Sequence, residues 1–433
     1  LLPTMVDRRM TKRNLYNEMF RINRRYIHWI KNGRKTDNIG RDLKFWNTAF
    51  ARQHMVKQDD PDKVRLVFGA PSLLLMSEQM FIWPIQAWLL KQGEDSPMLW
   101  GYETLKGGWY RLRNYFSRKY PRHNLSLALD WSGFDRDARH TVIQDIHSRI
   151  LRPMFTFNDG YHPTFRYSTE QQTTEGLADP QRFENLWNWM TNAILHTPLL
   201  LDDGRMFEFR HSGIFSGFFQ TQLLDTIYSM IMVYTILSRL GFDLDKVGGK
   251  FQGDDSLLAL CGCYPLLKDT LLDMIAHYAK VYFGATLNVK KSEFRAGFDD
   301  SIVLSYRNKG GIPYRDHLEL LAHLRYPETN YSFGGLMARS VGIAMAACGR
   351  SVPLYLICED IFSFLQAGGH IPEQSGLTHM FKYAKAYAPT DLDIDLGKFP
   401  NYLDTINRLM ENADPQPSKK YWNLDHFIGY PGF

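Results

Sequence analysis

Cysteine is scarce. The 433 residues contain four, and Cys261-x-Cys263 has no second close pair because Cys348 and Cys358 stand apart. That spacing argues against a zinc knuckle and leaves free thiols, the form expected in a reducing compartment. No uninterrupted apolar run is long enough to span a bilayer, and the basic N-terminus lacks the apolar block and cleavage site of a secretory signal. The expectation is an intracellular chain with no membrane partner; its start at Leu rather than Met suggests trimming or processing. Gly-x4-Gly-Lys-Ser/Thr and His-Glu-x2-His are both missing, and the fourteen histidines show no metal-ligand spacing. Internal repeats and low-complexity tracts are missing too, which excludes solenoids and arrays.

What is present fits a large folded enzyme. Hydrophobic residues make up 44% and charged residues 22%, ordinary values for a chain with a sizeable core. The length favours several interlocked subdomains over one simple domain. Aromatics reach 14% and could fill cores or stack on bases. Net charge is only +5 but uneven: residues 1–65 carry sixteen basic against seven acidic side chains, leaving the remainder at about −4. Arg8-Arg9, Lys12-Arg13, Arg24-Arg25 and Arg34-Lys35, with Tyr26 and Trp29 among them, suit phosphate contacts; a solvated helix face is the competing explanation.

Periodicity sketches the elements. Residues 15–46 read as interrupted helices, 63–69 as a short strand whose Lys63 and Arg65 share a face, and 73–90 as a buried helix kinked at Pro84. Leu125-Ser-Leu-Ala-Leu-Asp130 reads as a buried strand that delivers a carboxylate to its edge, at a cleft. A helix over 137–151, an inserted loop over 158–180 and a helix over 181–197 follow. Then come a strand over 206–209 and a long helix from Gly217 to about Leu240. Lys250 to Leu260 is apolar on both sides of Gly253-Asp254-Asp255, the pattern of a hairpin with acids at its tip. Residues 266–283 read as a helix, and the chain from about Tyr314 onward as mainly helical.

A lone Gly-Asp-Asp is weak, and exposed turn acids would explain it equally well. Its context carries more: Asp130, also at a strand end, lies 124 positions earlier and is followed by Asp135. Extending a nucleic-acid chain requires the 3′-hydroxyl to be activated and the pyrophosphate neutralised, in line at the α-phosphorus; two metal ions about 3.5–4 Å apart achieve this. Mg²⁺ prefers carboxylate, water and phosphate oxygens, so Asp130 and Asp254 are natural bridging ligands and Asp255 an accessory one.

Taken in order, Asp130-x4-Asp135, Ser216-Gly217-x3-Thr221-x3-Asp225, Gly253-Asp254-Asp255 and Asn288-x2-Lys291-Ser292 resemble motifs A to D of viral RNA-dependent RNA polymerases. The phrases Asp-Trp-Ser-Gly-Phe-Asp, Thr-Gln-Leu-Leu-Asp and Arg-Tyr-Pro-Glu are most similar to those of partitivirus-like and picobirnavirus-like double-stranded RNA viruses. The resemblance covers about residues 60 to 330. It implies an α+β right-hand polymerase: an antiparallel-sheet palm (125–157 and 206–312), mainly helical fingers (1–124, with an insertion over 158–205) and a helical thumb (313–433). Catalysis would use Mg²⁺ as two ions, with Mn²⁺ able to substitute.

The resemblance also assigns roles. Asp135 would sit near the incoming ribose, accepting from its 2′-hydroxyl or holding a Ser216 and Thr221 network that does so. Ser216-Gly217 would bring backbone close to template or nucleotide, with a helix cap as the plain alternative for Ser216. Asp225 stands where many related enzymes have Asn, which leaves the 2′-hydroxyl route open. Lys291 would protonate pyrophosphate, although adjacent Lys290 is an alternative. Lys63 and Arg65 would meet the triphosphate, or else mark an exposed basic strand. Ser305, Tyr306 and Arg307 fall where a motif E hairpin supports the primer. The implied partners are RNA template and product, ribonucleoside triphosphates and viral capsid protein, with the enzyme in the virion interior and host cytoplasm. Two other readings stand beside this one. Reverse transcription is disfavoured by Gly253 before the acids and by Asp135, and a catalytically silent RNA-binding, capsid-associated protein by the intact acids.

Overall fold

The computed structural model describes residues 14–54, 56, 63–159, 179–261, 268–327, 330–373, 376 and 395–410. The Arg8-Arg9 and Lys12-Arg13 clusters, Cys263 and most of the anticipated 158–180 loop lie outside the described residues.

In chain order the first elements are α1 (Tyr16–Lys31), β1 (Asn47–His54), β2 (Lys63–Gly69), α2 (Ser72–Lys91), α3 (Gly108–Lys119), β3 (Leu125–Leu129) and β4 (Trp131–Ser132). There follow α4 (Phe134–Asp137), α5 (His140–Asp145), α6 (Pro180–His196), β5 (Leu199–Leu200), β6 (Met206–Phe207) and α7 (Thr221–Arg239). The last are β7 (Gly248–Gln252), β8 (Asp255–Leu260), α8 (Lys268–Tyr278), β9 (Thr286–Leu287), β10 (Glu293–Ala296), β11 (Ile302–Val303), β12 (Tyr306–Lys309), β13 (Ile312–Tyr314), α9 (His317–Arg325), α10 (Phe333–Ala346) and α11 (Val352–Ala367).

The chain forms two compact units. One comprises Leu1–Ile85 and Asp135–Leu224. Its sheet runs β2-β1-β5-β6, with β1 antiparallel to β2 from Thr48↔Gly69 to His54↔Lys63 and parallel to β5. Its core is aromatic: Phe81 of α2 meets Trp187 of α6 edge-on at 5.3 Å between ring centroids and lies 5.8 Å from both Phe155 and Phe157. Rings packed this way gain on the order of 1 kcal/mol per pair beyond their buried area. Asn185 of α6 donates to the Lys31 carbonyl at 2.9 Å and so ties α6 to the end of α1.

The other unit comprises Gln86–Phe134 and Asp225–Phe433. Its antiparallel sheet runs β10-β3-β8-β7, with β3 and β8 central and apolar on both faces, as burial on both sides requires. Leu112 and Phe116 of α3, Leu257, Tyr306 and Met345 form one core cluster. A three-stranded β11-β12-β13 sheet precedes the helices α9, α10 and α11.

Most sequence expectations have counterparts, with instructive departures. α7 begins at Thr221, four residues after Gly217, because the amides of Phe219 and Gln220 bond to Glu78 of α2 instead of continuing a helix backward. The 137–151 helix is divided into α4, α5 and a π-helical turn over Ile146–Leu151. The strand expected over 206–209 covers only Met206–Phe207. Among the described residues α2 alone is long and apolar enough to cross a membrane; more than half of it is buried within the protein, and Pro84 lies inside it.

Candidate active site

Two neighbouring strands deliver the acids. β3 is buried throughout and ends just before Asp130, while β8 begins at Asp255. Leu129 faces Ser256 in the antiparallel register, so Asp130 and Asp255 emerge beside each other at the sheet's end. Gln252 faces Asp255 across a two-residue turn, Gly253-Asp254, in which Gly253 has φ +61. A hairpin turn with a left-handed first position favours glycine there. Asp254 is exposed at the tip; Asp130 and Asp255 are half-buried.

This arrangement concentrates like charge. Burial, together with the Asp254 and Asp130 carboxylates, pushes Asp255 up to about 7, against the opposing effect of the Leu304 N–H that donates to it. All three donors are hard oxygens. Among the described residues no three acidic, His or Cys side chains close into a ready-made metal cage. An open set at adjacent strand ends fits a divalent cation that keeps some of its water and takes other oxygens from phosphate.

The segment after β9 grips Asp130 by its peptide. Asn288 N–H donates to the Asp130 carbonyl at 2.8 Å, and Asp130 N–H donates to Ser292 Oγ at 3.1 Å. Lys290 and Lys291 are exposed in the turn between these anchors. The acidic hairpin is tied in turn to α7, since Gly253 N–H donates to Thr226 Oγ1 at 2.8 Å, one residue beyond buried Asp225. The β11–β12 hairpin turns through Leu304 and Ser305, whose φ values of +51 and +65 are costly without glycine. Ser305 is exposed; Tyr306 is buried, its hydroxyl donating to the Ala346 carbonyl at 3.2 Å, so its ring supports the hairpin from inside. Arg307 forks onto Glu293 at 2.6 Å.

The unit that contains β2 holds the remaining candidates apart from Asp225. Lys63 and Arg65 alternate along β2, and Arg52 of β1 lies opposite Arg65, which is exposed. A Cβ on Gly217 would stand 2.2 Å from the Phe68 carbonyl oxygen, so only glycine lets this loop lie against β2. Ser216 is exposed, whereas Thr221 is buried and donates to the Phe215 carbonyl at 2.7 Å. Asp135 is half-buried, its carbonyl accepting from Ile214 N–H at 2.9 Å.

The model of the viral RNA-dependent RNA polymerase family matches residues 8–331, most of the chain. The chain belongs to that family. The RNA-directed RNA polymerase of White clover cryptic virus 1 is 33% identical over 427 residues, which are 96% of this chain and 69% of that protein. That of Atkinsonella hypoxylon virus is 27% identical over 407 residues, 88% of this chain and 58% of that protein. In fold, the polymerase is similar to the crystal structure of an insertion-loop deletion mutant of a human picobirnavirus RNA-dependent RNA polymerase. The TM-score is 0.52 at 16% identity, covering 78% of this chain and 59% of that one. The fold is therefore that of a right-hand polymerase, mixed in helix and sheet, and the family uses divalent metal ions.

Sequence reasoning missed several buried polar contacts within each unit. Lys250, which the sequence offers only as the first residue of the hairpin segment, is wholly buried in β7. Its ammonium donates to the carbonyls of Glu94, at 2.6 Å, and Ser96, and lies 4.2 Å from the Tyr115 ring centroid. Burial, then Lys119, lowers it to about 8. A cation interrupting an apolar strand was the available signal. The Leu304 amide and Glu78 carry no such signal, since the first is backbone and the second resembles any helix acid.

Proposed function

We propose that this polymerase extends RNA on an RNA template by nucleotidyl transfer assisted by two Mg²⁺ ions, with Mn²⁺ as a substitute. The observation that carries the proposal is the acid trio at the end of the β3–β8 ladder, in which Asp255 is forced up to about 7 by burial and by Asp254 and Asp130. Bound divalent ions would neutralise charge on the attacking and leaving oxygens. Asp130 and Asp254 would hold them, with Asp255 as accessory. The 3′-hydroxyl gives up its proton to solvent water as its oxygen bonds to the α-phosphorus, the bond to pyrophosphate breaks, and Lys291 supplies a proton to that leaving group. Lys63 and Arg65 would engage the triphosphate. Asp135, Ser216, Gly217, Thr221 and Asp225 would hold and select the ribose, while Ser305 and the internally braced Tyr306 would support the primer end.

The proposed subdomains are fingers over 1–124 and 158–205, palm over 125–157 and 206–312, and thumb over 313–433. By its family, the polymerase binds RNA and nucleotides. Work inside or beside a capsid, with capsid protein as partner in the virion interior and host cytoplasm, is the accompanying proposal, and it rests on the motif resemblance to double-stranded RNA virus polymerases.

The deciding assay supplies purified protein with RNA template, four ribonucleotides and Mg²⁺ or Mn²⁺. Asp254→Asn changes a metal ligand with little change in volume, so synthesis should fall by at least about a hundredfold, a barrier rise of about 2.7 kcal/mol. Folding and RNA binding should persist. Undiminished synthesis by that variant would refute the assignment of the acids, and preferential use of deoxynucleotides would favour reverse transcription.

A further inference from the structure

One buried acid has no part in the chemistry described so far. Glu78 sits in the middle of apolar α2 and is 0% exposed. Among the described residues it forms no salt bridge; its partners are amides. The Phe219 N–H donates to one carboxyl oxygen at 3.1 Å and the Gln220 N–H to the other at 3.2 Å. These N–H groups lie at the head of α7, where a helix has amides without internal partners and its positive end favours a carboxylate. The Gln220 side chain turns toward the same carboxyl, and its Oε1 accepts from buried His147 Nε2 at 2.8 Å. His147 belongs to the π-helical turn Ile146–Leu151, an irregularity that often accompanies functional sites.

The opposite side of the same short loop is equally constrained. Gly217 lies against the Phe68 carbonyl of β2, where even a methyl group would collide. Thr221 Oγ1 reaches back to the Phe215 carbonyl at 2.7 Å and closes the loop on itself. The segment from 216 to 220 is thus fixed by α2 through Glu78 and by β2 through close backbone contact. Ser216 is the residue it leaves exposed.

We propose that Glu78 is a positioning residue for ribonucleotide selection: by holding the Phe219 and Gln220 amides it fixes the presentation of Ser216 and Thr221 to the incoming ribose. This rests on the reading of the Ser216–Thr221 loop as nucleotide-binding. Burying an acid with no cation opposite it is unfavourable for folding, and its ionised form is disfavoured there, mainly by burial. Such a group is retained more readily where geometry depends on it. A Gln in its place keeps one acceptor but sets an NH₂ against a loop N–H, which releases one of the two amides.

The test compares wild type, Glu78→Gln, Ser216→Ala and Thr221→Val in single-nucleotide incorporation, with matched ribo- and 2′-deoxyribonucleoside triphosphates. Glu78→Gln should remain folded by circular dichroism. Its preference for the ribonucleotide should fall about tenfold, chiefly through a higher KM, with kcat within about threefold of wild type. Hydrogen exchange of the peptide covering 214–222 should quicken. A merely structural role would lower the amount of active enzyme without altering selectivity. If Ser216→Ala or Thr221→Val changes selectivity and folded Glu78→Gln does not, the inference is overturned while the loop's role stands. If none of the three changes it, the loop's role fails and the inference goes with it. Should Glu78→Gln not fold, Glu78→Asp withdraws the carboxyl by one methylene, and a folded Glu78→Asp with wild-type selectivity and exchange overturns the inference.

Discussion

Asp255 and Glu78 are both carboxyl groups raised to about 7, for different physical reasons. Asp255 is raised first by burial and then by two neighbouring carboxylates, and an arriving cation would oppose the charge repulsion. Glu78 is raised by burial alone, against the amides that favour its charge, and no cation offsets it. The sign of its effect on stability follows. Its ordinary value is 4.5 and its folded value about 7, so between these the folded state keeps a proton that the unfolded state has lost, and stability falls as pH rises. Above pH 7 the full cost is present, about 3 kcal/mol at 1.36 kcal/mol per unit. His147, the titratable group facing this cluster through Gln220, is lowered to about 4 by burial and is mainly neutral over that window. Chemical denaturation at a series of pH values should therefore show Glu78→Gln gaining on wild type from pH 4.5 to 7 and levelling off above. Parallel curves for the two proteins would mean that the carboxyl is not desolvated as the structure indicates.

At the scale of elements, Gly217 joins the loop before α7 to β2. A Cβ there would meet the Phe68 oxygen at 2.2 Å and the Phe68 carbonyl carbon at 2.9 Å, both backbone atoms that cannot swing aside. Gly217→Ala should cost about 1–3 kcal/mol, as overpacking does. It should also raise the nucleotide KM several-fold, since β2 bearing Lys63 and Arg65 must shift; wild-type melting and wild-type KM together would show that the contact is slack. The sequence made β2 legible because it alternates charged with apolar residues before a turn, and the acidic hairpin because apolar residues flank its turn on both sides. β1 was illegible: Asn47-Thr-Ala-Phe-Ala-Arg-Gln-His54 has little strand pattern of its own and is a strand because β2 and β5 pair on its two sides. The start of α7 was misread for a related reason. Its periodicity extends back toward Gly217, but a tertiary partner 141 residues away, Glu78, takes the Phe219 amide. The acids of the candidate site were readable as strand ends, whereas the groups that brace them are backbone amides and a serine, types common everywhere.

At the scale of the whole molecule, the basic N-terminal segment and the acid trio fall in different compact units. Residues 1–65 carry sixteen basic against seven acidic side chains, while the acid trio lies in the other compact unit. Along α1, Asn23, Ile27 and Ile30 are buried, and Arg24 and Arg25 are exposed. Two readings remain for these arginines, phosphate contact or a solvated face, and salt separates them. Each cation that neutralises a phosphate releases counterions, so the slope of log affinity against log salt steepens by about 0.7 per contact for single-stranded nucleic acid. Replacing Arg24 and Arg25 together by Gln should make that slope shallower by up to about 1.4. Anisotropy titrations of a labelled single-stranded RNA over roughly 50–200 mM salt would measure it. The same variant at saturating template should keep the wild-type kcat, because neither arginine belongs to the acid trio. An unchanged slope would assign these arginines to solvent and move the search for RNA-binding charge to β1 and β2, where Arg52 and Arg65 stand opposite each other.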